Sequence, residues 1–340
     1  MFTVDNRTPY AADRTAVIDK DGRVLWVVVV KATWDIGPGG ALQLAEEQPP
    51  PVLVPEYAGE DGASSLRHET DLVPPKQATD VLVIGSAHAP HGRPTTEFTA
   101  GFEVAGLRKF VTVRGDRTYE MSVAGVVGPS RMTPVVSVPL SYERAYGGFD
   151  DKDPDPQKQL LDGRNPVGAG VATRPEHLIG KPVPNFEYPG KDIAKAGPAG
   201  FGPLAVHWQP RASYAGTYDA HWVEHRKPLL PADFDERHFQ AAPVDQQLPG
   251  RLPLQARMSL VNLSPRGDLS FELPRVYLRF LTELSPPAKE ARREHAATLN
   301  TIIADTDTHR LHMVWSTVLD CGRDVDHIVQ TRVTEKEHIT

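Results

Sequence analysis

At 340 residues the chain is long enough to bury a substantial core, and its 37 Lys and Arg against 44 Asp and Glu leave a net charge of −7 spread along the sequence, which excludes a basic nucleic-acid footprint. Cys321 is the only cysteine, so no internal disulfide forms and the small stapled secreted scaffolds are excluded. The start of the chain has no signal-peptide-like apolar stretch, and the longest apolar run, 24–30, falls far short of the roughly 20 residues that span a bilayer, so a cytoplasmic protein without a membrane span is expected.

The run 24–33 (VLWVVVVKAT) is β-branched and continuous, which suits a strand buried on both faces, and Gly37-Pro38-Gly39-Gly40 ends it. The segment 48–55 (QPPPVLVP) is an extended connector, because proline disfavours the helical conformation in the residue before it. Strands are expected again at 81–85, 95–104 and 108–113, and strands this short and this close together favour a sandwich or barrel. From 150 to 210 no period of 2 or 3.6 survives for long, and tracts such as DDKDPDP, GRNPVGAG and AGPAGFGP mark a long, ordered, turn-built segment lying over the sheets. Helices are expected only at 287–297 and at 234–240, the second with Asp233 as its N-cap. Period 2 returns at 253–264, 269–273 and 276–281, and the runs 299–304 and 311–318 flank DTDTH as a hairpin. The expected fold is mainly β: an antiparallel sandwich-like or barrel-like core with long Pro/Gly-rich loops and few short helices. Three segments follow, 1–140, 141–250 and 251–340, which also read as one continuous domain.

Signatures of covalent or nucleotide chemistry are absent: no Gly-rich loop ends in Gly-Lys-Ser/Thr, and no Gly-x-Ser-x-Gly occurs. His88 and His91 with His68 suggest a metal site, but a closed zinc site needs a denser ligand set, and loop histidines bonded to backbone explain them as well. Asp305, Asp307 and His309 read as a polar turn, since a calcium loop requires a glycine and a glutamate that do not follow. No metal or cofactor is therefore expected. Glu143, Asp150, Asp219, Asp233, Asp235 and Asp245 lie near Tyr146, Trp208, Tyr218 and Trp222, a composition that also suits a carbohydrate-active hydrolase with one carboxylate pair. The alternative is that these acids cap turns or pair with Arg144 and Arg211. Trp208 and Trp222 read either as ordinary core or, with the arginines, as interface anchors.

The middle of the chain carries LSYERAYGGFD at 140–150, NPVGAG at 165–170, AGFGPLAVHWQPR at 199–211, AGTYDAHW at 215–222, LPADFD at 230–235 and APVDQ at 242–246. Upstream lie KATW at 31–34, the long block 57–90 and GDRTY at 115–119, and downstream LVNLSPRGDLSFELP at 260–274. This succession, over about 31–274, resembles a family of uncharacterised domains encoded beside type VI secretion spike genes. The resemblance implies a bacterial, cytoplasmic, non-enzymatic adaptor or chaperone that loads a toxin effector, often one with a PAAR domain, onto the VgrG spike. It brings no catalytic residues. On the residues themselves, Gly147, Gly148 and Gly168 supply backbone shapes that a Cβ resists, while Glu143, Arg144, Asp219 and Asp245 bond loop backbone. The expected platform or partner-binding set adds Tyr146, Asn165, Phe201, Trp208, Arg211, Tyr218, Trp222, Asp233, Phe234, Asp235 and Gln246.

Overall fold

The computed structural model describes residues 3–336 apart from Pro287, Lys289, Arg323 and Asp324. Three sheets carry most of the regular structure. The largest has seven strands, in the order Gln247–Pro249, Ala78–Ile84, Thr298–Asp305, Arg310–Asp320, Val24–Ile36 and Ala11–Ile18, with Leu42–Leu44 also paired to Val24–Ile36. Within it only Thr298–Asp305 and Ala78–Ile84 run parallel. A five-stranded antiparallel sheet runs Phe186–Glu187, Leu107–Arg114, Glu97–Val104, Arg257–Val261, Leu269–Glu272. The third sheet orders Thr3–Asn6, Ile328–Glu335, Leu278–Leu284 and Arg292–Ala296. The fold is mainly β and mostly antiparallel, as the sequence predicts, and no sheet closes into a barrel.

The strand Val24–Ile36 shows how the sequence makes the core. Successive side chains of a strand point to opposite faces. Trp26, Val28, Val30, Ala32, Trp34 and Ile36 therefore enter the main core, with Phe102, Val113, Met258, Leu260 and Phe280 from the other two sheets. Val27 and Val29 face the other way, onto a second cluster with Val314, Val17 and Leu72. Burying each such side chain contributes about 1.5–3 kcal/mol, so a strand buried on both sides is a major source of stability. On that second face Lys31 pairs with Asp71 at 3.2 Å, and Asp71 also accepts from the Val52 N–H at 2.8 Å. The proline-rich connector is thereby fastened over the sheet.

Four expectations need correction. The segment 287–297 is not a helix: among its described residues, Arg292–Ala296 form an edge strand, its backbone paired antiparallel with Leu278–Leu284 residue by residue. Pro287 and Lys289 of that stretch lie outside the described residues. The 234–240 stretch is a short 3-10 turn, Glu236–Phe239, whose cap is Asp235, accepting from the Arg237 N–H. Asp233 instead accepts from the Thr217 N–H at 3.0 Å and from its hydroxyl at 2.7 Å. The strand expected at 253–264 is confined to Arg257–Val261. The hairpin of Ala11–Ile18 with Val24–Ile36 gives no clear period in the sequence, because its first strand lies at the sheet edge with Asp13 and Arg14 on it.

Candidate functional site

The segment 141–250 folds as a turn-built platform of two-residue ladders and single helical turns. Its first knot forms where two chain passes meet without side chains between them. Gly147 sits at φ +150, and a Cβ there would lie 2.2 Å from the Asn165 carbonyl oxygen; one on Gly148, at φ +115, would lie 2.6 Å from that of Gly168. Glycine is the residue that fits such a close approach. Asn165 is fully buried, and its Nδ2 donates to the carbonyls of Tyr142 at 2.8 Å and Tyr146 at 3.0 Å. One side chain therefore serves two buried acceptors that no ladder reaches.

Around the knot, each acid and arginine has a structural partner. Glu143 accepts from the Ser65 N–H at 2.7 Å and from its hydroxyl, and although burial raises its pKa, these bonds hold it below the usual carboxylate value. Arg144 donates to Asp116 at 3.0 Å. Tyr142 is buried, its ring edge-on to Trp208 at 5.2 Å, and its hydroxyl donates to the Gly202 carbonyl at 2.9 Å. Trp208 is therefore core. Arg211 is buried and donates to Glu69 and to the carbonyls of Leu204 and His238.

Two further knots tie the platform to the sheets. Gln246 Nε2 donates to the carbonyls of Val81 at 2.7 Å and Phe201 at 2.9 Å, and its Oε1 accepts from Lys109 Nζ at 2.9 Å. Lys109 is buried on its strand, lies over the rings of Tyr188 and Phe201, and donates to Asp245 at 2.9 Å. Burial pushes the Lys109 ammonium below the ordinary lysine value, with Asp245 opposing that shift. Asp245 also accepts from the Tyr188 hydroxyl at 2.8 Å, and burial followed by the nearby Asp245 charge raises the Tyr188 phenol. At the second knot, fully buried Asp80 accepts from Lys76 at 2.6 Å, from Gln240 at 2.8 Å and from the Ala241 N–H at 2.8 Å.

The six acids that could make a hydrolytic pair are dispersed over separate jobs. Asp219 caps the Ala220–His225 helix through the Trp222 N–H, Asp235 holds Arg237, and Asp150 is buried against Thr173 and His177. Among the described residues no two of the six share a hydrogen-bond partner. His177 Nδ1 lies 2.7 Å from Asp150 Oδ2 and, with the Thr173 N–H, holds that carboxyl well below the usual range. An oriented histidine of this kind is one part of a general-base arrangement, but among the described residues no serine or cysteine is bonded to it. His68 and His88 are half-buried end residues of the short strands Leu66–His68 and Ser86–His88; among the described residues His68 Nδ1 and His88 Nε2 are unbonded, and no cluster of three metal-ligating side chains occurs.

Of the predicted set, Gly147, Gly148, Asn165, Phe201, Trp208, Arg211, Phe234 and Gln246 are buried and build the platform. Tyr218, Asp219 and Asp233 are exposed, and Trp222 is half-buried, edge-on to Tyr218 at 4.7 Å with its Nε1 donating to the Leu229 carbonyl. Sequence reasoning missed the exposed Phe149, Leu160 and Leu161: Phe149 pairs with Leu161 across a two-residue ladder, and Leu160 pairs with Asp150 on its other face. The signal was available in GGFD and in the Leu-Leu pair, whose apolar side chains lie among charged neighbours. It also missed Lys109, which only its distant partners mark as special.

Residues 21–316 match the model of a family described as an uncharacterized protein conserved in bacteria, DUF2169. No curated protein and no solved structure matches the chain. No helix among the described residues is long and apolar enough to cross a membrane.

Proposed function

The chain belongs to the bacterial DUF2169 family, and from that membership and the order of its motif blocks we propose that it is a cytoplasmic, non-enzymatic adaptor. Its partner is a type VI secretion toxin effector, often carrying a PAAR domain, which it helps to load onto the VgrG spike. The observation that carries the reading is the use made of the central block. Its conspicuous glycines, acids and arginines make internal contacts and hydrogen bonds, and the backbone they fix exposes Phe149 beside Leu161, and Tyr218 edge-on to the half-buried Trp222. A preorganised surface with aromatic and apolar anchors binds a partner without a large ordering cost.

The secretion link rests on the resemblance of the motif succession, and the geometry supports a binding role through this surface. Co-expression with a PAAR-domain effector encoded beside it tests the reading: co-purification through gel filtration and a gain in effector solubility are expected. Recovery of both proteins as separate species, with effector solubility unchanged, overturns it.

A further inference from the structure

A cleft of about 750 Å³ lies between one end of the seven-stranded sheet and the Leu278–Leu284 and Arg292–Ala296 strands, at the far end of the 141–250 segment, where Gly250 lines it. Its floor is apolar and fixed: Met313, Trp315 and Leu273 are buried members of the main core. Its lips are apolar and uncovered, with Leu254 72% and Tyr277 45% exposed. A volume in this range, with an apolar floor and polar and charged groups converging at the rim, is that of a binding cleft.

Charge and backbone narrow the occupant. In a chain of net charge −7, the cleft is rimmed by the exposed cations Arg251, Arg275 and Lys336; Arg275 pairs at 3.7 Å with Glu272 just outside it, and the carboxylate among the lining residues is Glu294. That carboxylate already holds Arg279 at 2.8 Å and Lys336 at 3.5 Å, and the buried charge of Lys76 is offset by Asp80. The cleft is therefore cationic where the molecule as a whole is anionic, a local field that selects an acidic ligand. Two stretches outside the regular strands flank it, and Arg251, Leu252, Arg275 and Val276 donate no backbone hydrogen bond to any described residue. Backbone N–H groups need partners. Such free backbone beside an apolar floor suits an incoming extended peptide, whose main chain pairs with it while alternate side chains fill the cleft.

We propose that this cleft seats an extended, acidic segment of the cargo, one that alternates apolar side chains with carboxylates. The assignment to cargo rests on the adaptor reading; the peptide specificity does not. The probe is a fluorescein-labelled peptide of about ten residues alternating Leu and Asp, with a Leu and Lys peptide as its counterpart, measured by fluorescence anisotropy on the full chain. The acidic peptide should bind at least about tenfold more tightly than the basic one. The R251E/R275E variant, altered only at exposed side chains, should bind it about tenfold more weakly at an unchanged melting temperature. A photocrosslinker in place of Leu254 should capture co-expressed effector. Equal binding of the two peptides, or equal binding by variant and parent, overturns the proposal. An effector that co-purifies but is not captured at Leu254 overturns the cleft and leaves the adaptor reading standing. Charge-selective peptide binding without any co-purified effector does the reverse, supporting the peptide site and removing the adaptor reading.

Discussion

Replacing Asn165 by Asp tests whether the platform is held by the bonds described. The change is isosteric, so packing is preserved. What changes is that Nδ2, which donates to the buried carbonyls of Tyr142 and Tyr146, becomes an acceptor. The Tyr146 carbonyl is left without this donor, at about 1–3 kcal/mol, while the Tyr142 carbonyl keeps the Ala145 N–H at 3.1 Å and loses one bond of about 0.5–1.5 kcal/mol, giving a loss of about 1.5–4.5 kcal/mol. For a 340-residue chain unfolding as one unit, about 1.4 °C of melting temperature is lost per kcal/mol, so N165D should melt about 2–6 °C lower. Calorimetry at pH 5 and pH 8 adds a sharper readout. The introduced carboxyl, buried against two carbonyl oxygens, has its folded-state pKa raised above the unfolded value of about 3.9, because only its neutral form donates a hydrogen bond. Stability from that neutral form is lost as pH rises through the folded pKa, so the deficit relative to the parent should be larger at pH 8 than at pH 5. A deficit below about 1 kcal/mol at both pH values would refute the reasoning, since it would mean that the two bonds do not hold the knot.

Asp80→Ala should cost about 3–5 kcal/mol in urea denaturation, because it strands the buried Lys76 ammonium together with the Gln240 and Ala241 donors. His177→Ala should make the protein more acid-labile: Asp150 is held below its unfolded pKa chiefly by His177, so its stability contribution, present above that unfolded value and lost as pH falls through the folded one, should vanish at a higher pH. Circular dichroism during acid titration reads this as an upward shift of the unfolding midpoint. The double change Phe149→Ser and Leu161→Ser should move stability by no more than about 0.5 kcal/mol per site, since both side chains are largely exposed, yet abolish co-purification with effector.

The β character was legible because period 2 and β-branched runs are local properties. Val24–Ile36 betrayed burial on both faces through an unbroken apolar run, and the 299–304 and 311–318 pair announced its hairpin through DTDTH. The Arg292–Ala296 strand was hidden because its five residues are almost all charged or polar, so helical composition outweighed a pairing that only Leu278–Leu284 dictates. Glycines 147 and 148 could be read as special from their adjacency, but the Asn165 backbone they accommodate could not. Lys109 is the clearest loss. Nothing in RKFVTV distinguishes a solvated lysine from one buried among Tyr188, Phe201, Asp245 and Gln246, whose approach depends on contacts 79 to 137 positions away. The cleft was invisible for the same reason, being assembled from residues 76–79, 250–256, 273–278, 294–299, 313, 315 and 336.

Effector delivery from the cell tests the adaptor reading most directly. In a strain lacking this gene, the effector encoded beside it should vanish from the culture supernatant while the VgrG spike is still secreted, and a plasmid-borne copy should restore it. Undiminished effector secretion from the deletion strain would contradict the account.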